Sequence, residues 1–118
     1  MTKGRVLSFK YAFEGIWTAL KDQPNLIFHL LAAVVVILFG WFFQITTTEW
    51  IILTLTIGIV VCIELTNTAI EEVVNSFTDE IHPSAKKAKD VAAGAVLVVS
   101  ITAAIIGILI FLPYIKIP

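Results

Sequence analysis

The sequence predicts an all-α integral membrane protein: one amphipathic helix on the membrane surface, then three transmembrane helices. Two observations carry that reading. The chain of 118 residues is 58% hydrophobic and only 14% charged, with a mean hydropathy of +0.96. A water-soluble chain this short could not bury so much apolar surface. Three apolar runs, at residues 26–43, 50–77 and 91–115, also meet the roughly 20 residues needed to cross about 30 Å of hydrocarbon. Residues 1–118 read as a single membrane domain.

The first element is expected over about residues 5–21. Val6, Phe9, Phe13, Ile16, Trp17 and Leu20 recur at helical spacing, while Arg5, Lys10, Glu14 and Lys21 fall largely on other faces. That pattern suits a helix in the membrane interface, with Trp17 as an anchor. An ordinary surface helix packed on protein has the same pattern. Residues 21–25 then turn the chain into the membrane, with Pro24 biasing Gln23 away from helix.

The first span is set at about 26–43 and the second at about 50–77. Trp41 and Trp50 flank the short turn between them, as an aromatic belt would. Thr46 to Glu49 reads as a helix start, with a threonine cap and an acid in the first turn. The third span is set at about 86–113, in a helix that Pro83 starts near Ser84. Ala92, Ala93, Gly94, Ala95, Ser100, Ala103, Ala104 and Gly107 make it rich in small residues, which let helices approach closely in lipid.

Basic residues orient the chain. Lys3, Arg5, Lys10 and Lys21 precede the first span, and Lys86, Lys87 and Lys89 lie between the second and third. The loop 44–49 has neither Lys nor Arg. The N-terminus and the loop 78–90 are therefore expected in the cytosol and the C-terminus outside. No cleavable signal peptide is expected, and no nucleic-acid motif is evident. Cys62 is the single cysteine, read as a small packing residue that excludes an intrachain disulfide.

The second span carries a polar stripe. Glu64, Asn67, Glu71 and Asn75 follow at steps of three, four and four residues, which puts them on one helix face. Residues 51–63 rise about 20 Å, so Glu64 falls within the cytosolic half of the bilayer and Glu71 and Asn75 near its surface. Intramembrane carboxylates are costly and mark functional sites. With Gln23, Asn25, Glu72, Lys89 and Asp90 they gather at the cytosolic ends of the spans. Such an inventory can hold Mg²⁺ together with substrate phosphates, neutralise phosphate charge through a lysine and accept a proton from a lipid hydroxyl. It suits phosphoryl transfer from a cytosolic nucleotide to a lipid alcohol. A proton or cation path would also use intramembrane glutamates, but a relay needs groups across the full thickness, and the third span has none. A packing role for the stripe, a structural hydrogen bond for Asn67, an ion pair of Lys89 with Asp90, and interfacial packing for His29 are the plainer alternatives.

The run Glu64-Leu65-Thr66-Asn67-Thr68-Ala69-Ile70-Glu71-Glu72-Val73-Val74-Asn75 resembles the signature of the prokaryotic diacylglycerol kinase family, E-x-hydrophobic-N-[ST]-A-I-E-x-x-V-D. Ala88-Lys89-Asp90, followed by Ala92, Ala93, Gly94 and Ala95, is similar to that family's A-K-D stretch. Residues 9–21, followed by Asn25 and His29, are similar to the undecaprenol kinase branch. The resemblance implies a homotrimeric, ATP- and Mg²⁺-dependent lipid kinase of the bacterial inner membrane, with sites at the cytosolic interface between subunits. Undecaprenol is the first expectation for the acceptor and diacylglycerol the second. A catalytically decayed scaffold is the non-enzymatic alternative. The resemblance makes Glu64 the general base, Asn67 its support, and Glu71 a Mg²⁺ ligand. Lys89 and Asp90 become nucleotide contacts, with Glu80 and His82 nearby. Three positions depart from the pattern. Gln23 stands where a metal-binding glutamate is usual, Asn75 where the motif ends in aspartate, and Thr66 where a hydrophobic residue is usual. Gln23 can still ligate through its amide oxygen, more weakly, and Glu72 offers a compensating carboxylate. Low Mg²⁺ affinity is expected.

Overall fold

The computed structural model describes residues 3–77 and 82–115, and these are almost wholly helical. Four helices follow in order: α1 (Lys3–Asp22), α2 (Pro24–Phe43), α3 (Thr47–Phe77) and α4 (Pro83–Phe111), closed by a 3₁₀ turn at Leu112–Tyr114. Three stretches, Pro24–Phe43, Thr47–Phe77 and Pro83–Tyr114, are long and apolar enough to cross a membrane.

The breaks between helices have local causes. Gln23 is extended (φ −119°, ψ 99°) and Pro24 opens α2, as the steric demand of proline on its predecessor requires. The helix thus starts at Pro24, two residues before the apolar run. Gln44 closes α2 in the left-handed region (φ 52°), and the next amide, Ile45 N–H, donates to the Gly40 carbonyl at 3.2 Å. Thr46 and Glu49 then form a reciprocal cap on α3. Glu49 N–H donates to Thr46 Oγ1 at 3.2 Å and Thr46 N–H to Glu49 Oε1 at 2.9 Å, a capping box. His82 caps α4, its Nδ1 accepting from Ser84 N–H at 3.2 Å, with Pro83 at the first helical position. This helix begins eight residues, about two turns, before the third apolar run.

Packing is strongest at the end of the molecule far from the polar stripe. Ile45, Leu53, Ile110 and Phe111 form a buried cluster, joined by Phe43, Trp50, Ile57 and Tyr114. Phe111 meets Phe39 edge-on at 6.1 Å between ring centroids and lies tilted against Phe43 at the same distance. The Tyr114 hydroxyl donates to the Glu49 carboxylate, which ties the C-terminal turn to the start of α3. α4 packs against α3 more extensively than α2 does. An open apolar cleft of about 990 Å³ remains between the three spans. On α1, Phe9, Phe13 and Trp17 are exposed and only Ala19 is buried.

Candidate functional site

α3 is an uninterrupted helix from Thr47 to Phe77, so the polar stripe lies on one continuous face. Its geometry is uneven. Glu64 is buried, with 3% of its surface exposed, and is the charged residue in the protein's interior among the described residues. Asn67 and Glu71 are half-buried, whereas Asn75 is exposed near the helix end. Asn67 Nδ2 reaches Glu71 Oε1 at 3.5 Å, the long limit of a hydrogen bond, while Asn67 Oδ1 is buried with no partner. Thr68 Oγ1 is satisfied by the Glu64 main-chain carbonyl at 3.0 Å.

Two other elements reach this face. From α2, His29 Nε2 lies 3.0 Å from Glu64 Oε1. The distance is that of a hydrogen bond, but the ring N–H is out of line and Oε1 remains without a bonded partner. Sequence reasoning reads His29 as a packing residue; the contact depends on how α2 and α3 come into register across the turn at 44–46, which local sequence does not reveal. Gln23, at the α1–α2 break, is half-buried. It precedes Ile45 by 22 residues and Asn67 follows it by 22, so in antiparallel helices the two stand at about the same height. α1 and α3 enclose a second groove of about 500 Å³, lined in part by Tyr11, Gly15, Asp22, Thr68 and Glu72.

The α4 candidates sit at the same end of the molecule. Asp90 pairs with Lys86, Nζ to Oδ2 at 2.5 Å, one turn away on the exposed surface. The ion pair of Asp90 is therefore with Lys86. Lys89 is half-buried and, among the described residues, pairs with no carboxylate. His82 is exposed at its capping position, and Glu80 lies outside the described residues.

Among the described residues no three His, Cys, Asp or Glu side chains converge on a metal position. One carboxylate (Glu71), an unpartnered amide oxygen (Asn67 Oδ1) and an amide at about the same height (Gln23) do not make a protein cage. They do fit Mg²⁺, which commonly uses one or two carboxylates and takes its other ligands from phosphates and water.

A three-span helical protein whose polar groups collect at one end, around a buried carboxylate, is a small integral-membrane enzyme, and its relatives are kinases. Over 106 residues the chain is 47% identical to a protein of Bacillus subtilis named undecaprenol kinase, covering 90% of this chain and 86% of that one. Over 109 residues it is 38% identical to a protein of Synechocystis named diacylglycerol kinase, covering 92% of this chain and 62% of the longer relative. Residues 10–111 match the prokaryotic diacylglycerol kinase family, and the chain belongs to that family.

Proposed function

We propose that this protein transfers the γ-phosphate of ATP to the hydroxyl of a membrane lipid alcohol, with undecaprenol as the acceptor and undecaprenyl phosphate as the product. The observation that carries the reaction type is Glu64: a buried carboxylate with an unpartnered oxygen, on the helix face that also holds Asn67 and Glu71. A carboxylate there serves as the base for a hydroxyl that cannot leave the bilayer. The choice of undecaprenol rests on the Bacillus relative at 47% identity. Diacylglycerol is the competing acceptor, supported by the Synechocystis relative at 38%.

In this reading the acceptor hydroxyl gives its proton to Glu64. Its oxygen forms a bond to the γ-phosphorus as the bond from that phosphorus to the β–γ bridging oxygen breaks, and ADP leaves. Asn67 supports the site by hydrogen bonding. Lys89 supplies positive charge to the phosphates, and Asp90, His82 and Glu80 border the nucleotide. Glu71 and Gln23 would hold Mg²⁺, which when bound neutralises phosphate charge. The lysines before α2 and at the start of α4 support a cytosolic position for this end of the molecule, where ATP is, and the bacterial relative supports the plasma membrane as the chain's location. α1 then lies along the cytosolic surface, where its exposed Phe9, Phe13 and Trp17 meet lipid. A homotrimer is the assembly that the family resemblance implies. It is supported by the small residues of α4, Ala92, Ala93, Gly94 and Ala95 among them, which let helices approach closely in lipid.

The test is phosphate transfer from labelled ATP–Mg²⁺ in mixed micelles, with undecaprenol and diacylglycerol offered separately and Glu64→Gln as control. Labelled undecaprenyl phosphate that vanishes in the control supports the proposal. Faster labelling of diacylglycerol moves the assignment to that acceptor. Transfer to neither lipid, by folded and oligomeric protein, makes this a decayed kinase and points first to Gln23 and Asn75.

A further inference from the structure

Glu64 poses an energetic problem before it does any chemistry. An ionised carboxylate taken out of water needs compensating donors, and its own helix provides none to its side chain. Asn67 directs its amide to Glu71 and Thr68 directs its hydroxyl to the main chain. The basic group at the carboxylate is His29 from α2, with Nε2 3.0 Å from Oε1 and a side chain only 18% exposed. A second, independent feature bears on the same ring. His29 lines the apolar cleft between the three spans, whose other lining includes Ala32, Val36, Val60 and Ala104. The imidazole therefore stands where that cleft meets the carboxylate.

We propose that His29 is a positioning residue for Glu64, an inference that rests on reading Glu64 as the proton acceptor. The neutral imidazole donates Nε2–H to Oε1, which fixes the rotamer of the carboxylate and leaves Oε2 free for the hydroxyl of the lipid. A neutral imidazole carries one donor and one acceptor, so this tautomer makes Nδ1 the acceptor. Rotation about the terminal ring torsion, which is broad for histidine, brings the N–H into line with Oε1. An aliphatic residue at this position would leave the buried carboxylate with no donor from another helix among the described residues. A glutamine would return one at similar reach.

The experiment compares His29→Leu and His29→Gln in the micelle assay. Helicity is followed by circular dichroism, and the wild type is labelled with ¹⁵N on its two histidines, His29 and His82. Loss of orientation at a reacting group costs up to about 100-fold. His29→Leu is expected to lower kcat by about 10- to 100-fold with the KM for ATP unchanged, and His29→Gln to recover most of that loss. Glu64→Gln is expected to shift the His29 ring nitrogens and leave those of His82, which caps α4, in place. Wild-type kcat in His29→Leu, or His29 resonances indifferent to Glu64→Gln, overturns the proposal. If the wild type transfers phosphate to no lipid, the kinase reading falls by itself, and the nitrogen shifts alone decide whether His29 and Glu64 pair.

Discussion

Gly40 lies directly beneath the indole of Trp50. A Cβ built on Gly40 would come within 2.6 Å of Trp50 Cη2 and 3.2 Å of Ile45 Cδ1. The contact closes α2 onto α3 just above the turn at 44–46, beside the buried cluster of Ile45, Leu53, Ile110 and Phe111. Gly40→Ala is therefore an overpacking change, costing about 1–3 kcal/mol. Thermal unfolding in detergent should show a lower midpoint for Gly40→Ala. Trp50→Phe should restore part of the loss in the double variant, since the smaller ring vacates the contested space. Additive losses in the two single variants would mean that the two residues do not meet.

Glu64→Gln separates chemistry from folding. The amide keeps the shape of the carboxylate, while the cost of a charge at membrane depth disappears. Transfer should fall by about 10²- to 10⁴-fold, the usual contribution of a general base. The unfolding midpoint should stay level or rise. A variant that unfolds at lower temperature would make Glu64 a packing residue held by its contacts.

Gln23→Glu should tighten the apparent affinity for Mg²⁺. Gln23 is half-buried at the α1–α2 break, at about the height of Asn67 by helix rise, and an added carboxylate there supplies a stronger oxygen ligand. Titrating Mg²⁺ at saturating ATP should give half-saturation at a lower concentration in the variant. Equal midpoints would remove Gln23 from the metal's surroundings.

The same contrast between local and distant determinants runs through the whole chain. The capping box of Thr46 and Glu49 is legible in the sequence because its partners are three residues apart. The spans are legible because lipid demands a continuous apolar run. Their starts at Pro24 and Pro83 lie outside the apolar runs, since proline geometry and not hydropathy sets the first helical residue. Tyr114 finds Glu49 across 65 residues, and His29 finds Glu64 through the register of two helices. Neither pairing leaves a periodic or local trace. The face that joins Glu64, Asn67 and Glu71 follows from spacing alone, but its gradient from buried Glu64 to exposed Asn75 depends on where α2 and α4 cover α3.

Thr46→Ala tests the end of the molecule far from the polar stripe without touching the stripe. The change removes the side-chain acceptor for Glu49 N–H, and loss of a threonine N-cap costs about 0.5–2 kcal/mol. Tyr114→Phe removes the donor that joins the last turn to Glu49. Both variants should unfold at lower temperature, and both should keep wild-type rates of phosphate transfer, because the site is at the opposite end of α3. A fall in kcat with unchanged thermal stability would contradict that separation.

Lys86 and Lys89 differ in what they already hold. Lys86 is committed to Asp90 at 2.5 Å on an exposed face, a kind of pair that contributes about 0–1 kcal/mol. Lys89 is half-buried and has no carboxylate partner among the described residues, so its charge is available to a nucleotide. Lys89→Ala should raise the KM for ATP by about tenfold, roughly 1.4 kcal/mol of lost binding, and Lys86→Ala by much less. Steady-state kinetics over a range of ATP concentrations separates the two. If Lys86→Ala proves the more damaging, the pair with Asp90 is what positions the acid at the nucleotide, and Lys89 is a helix-surface charge.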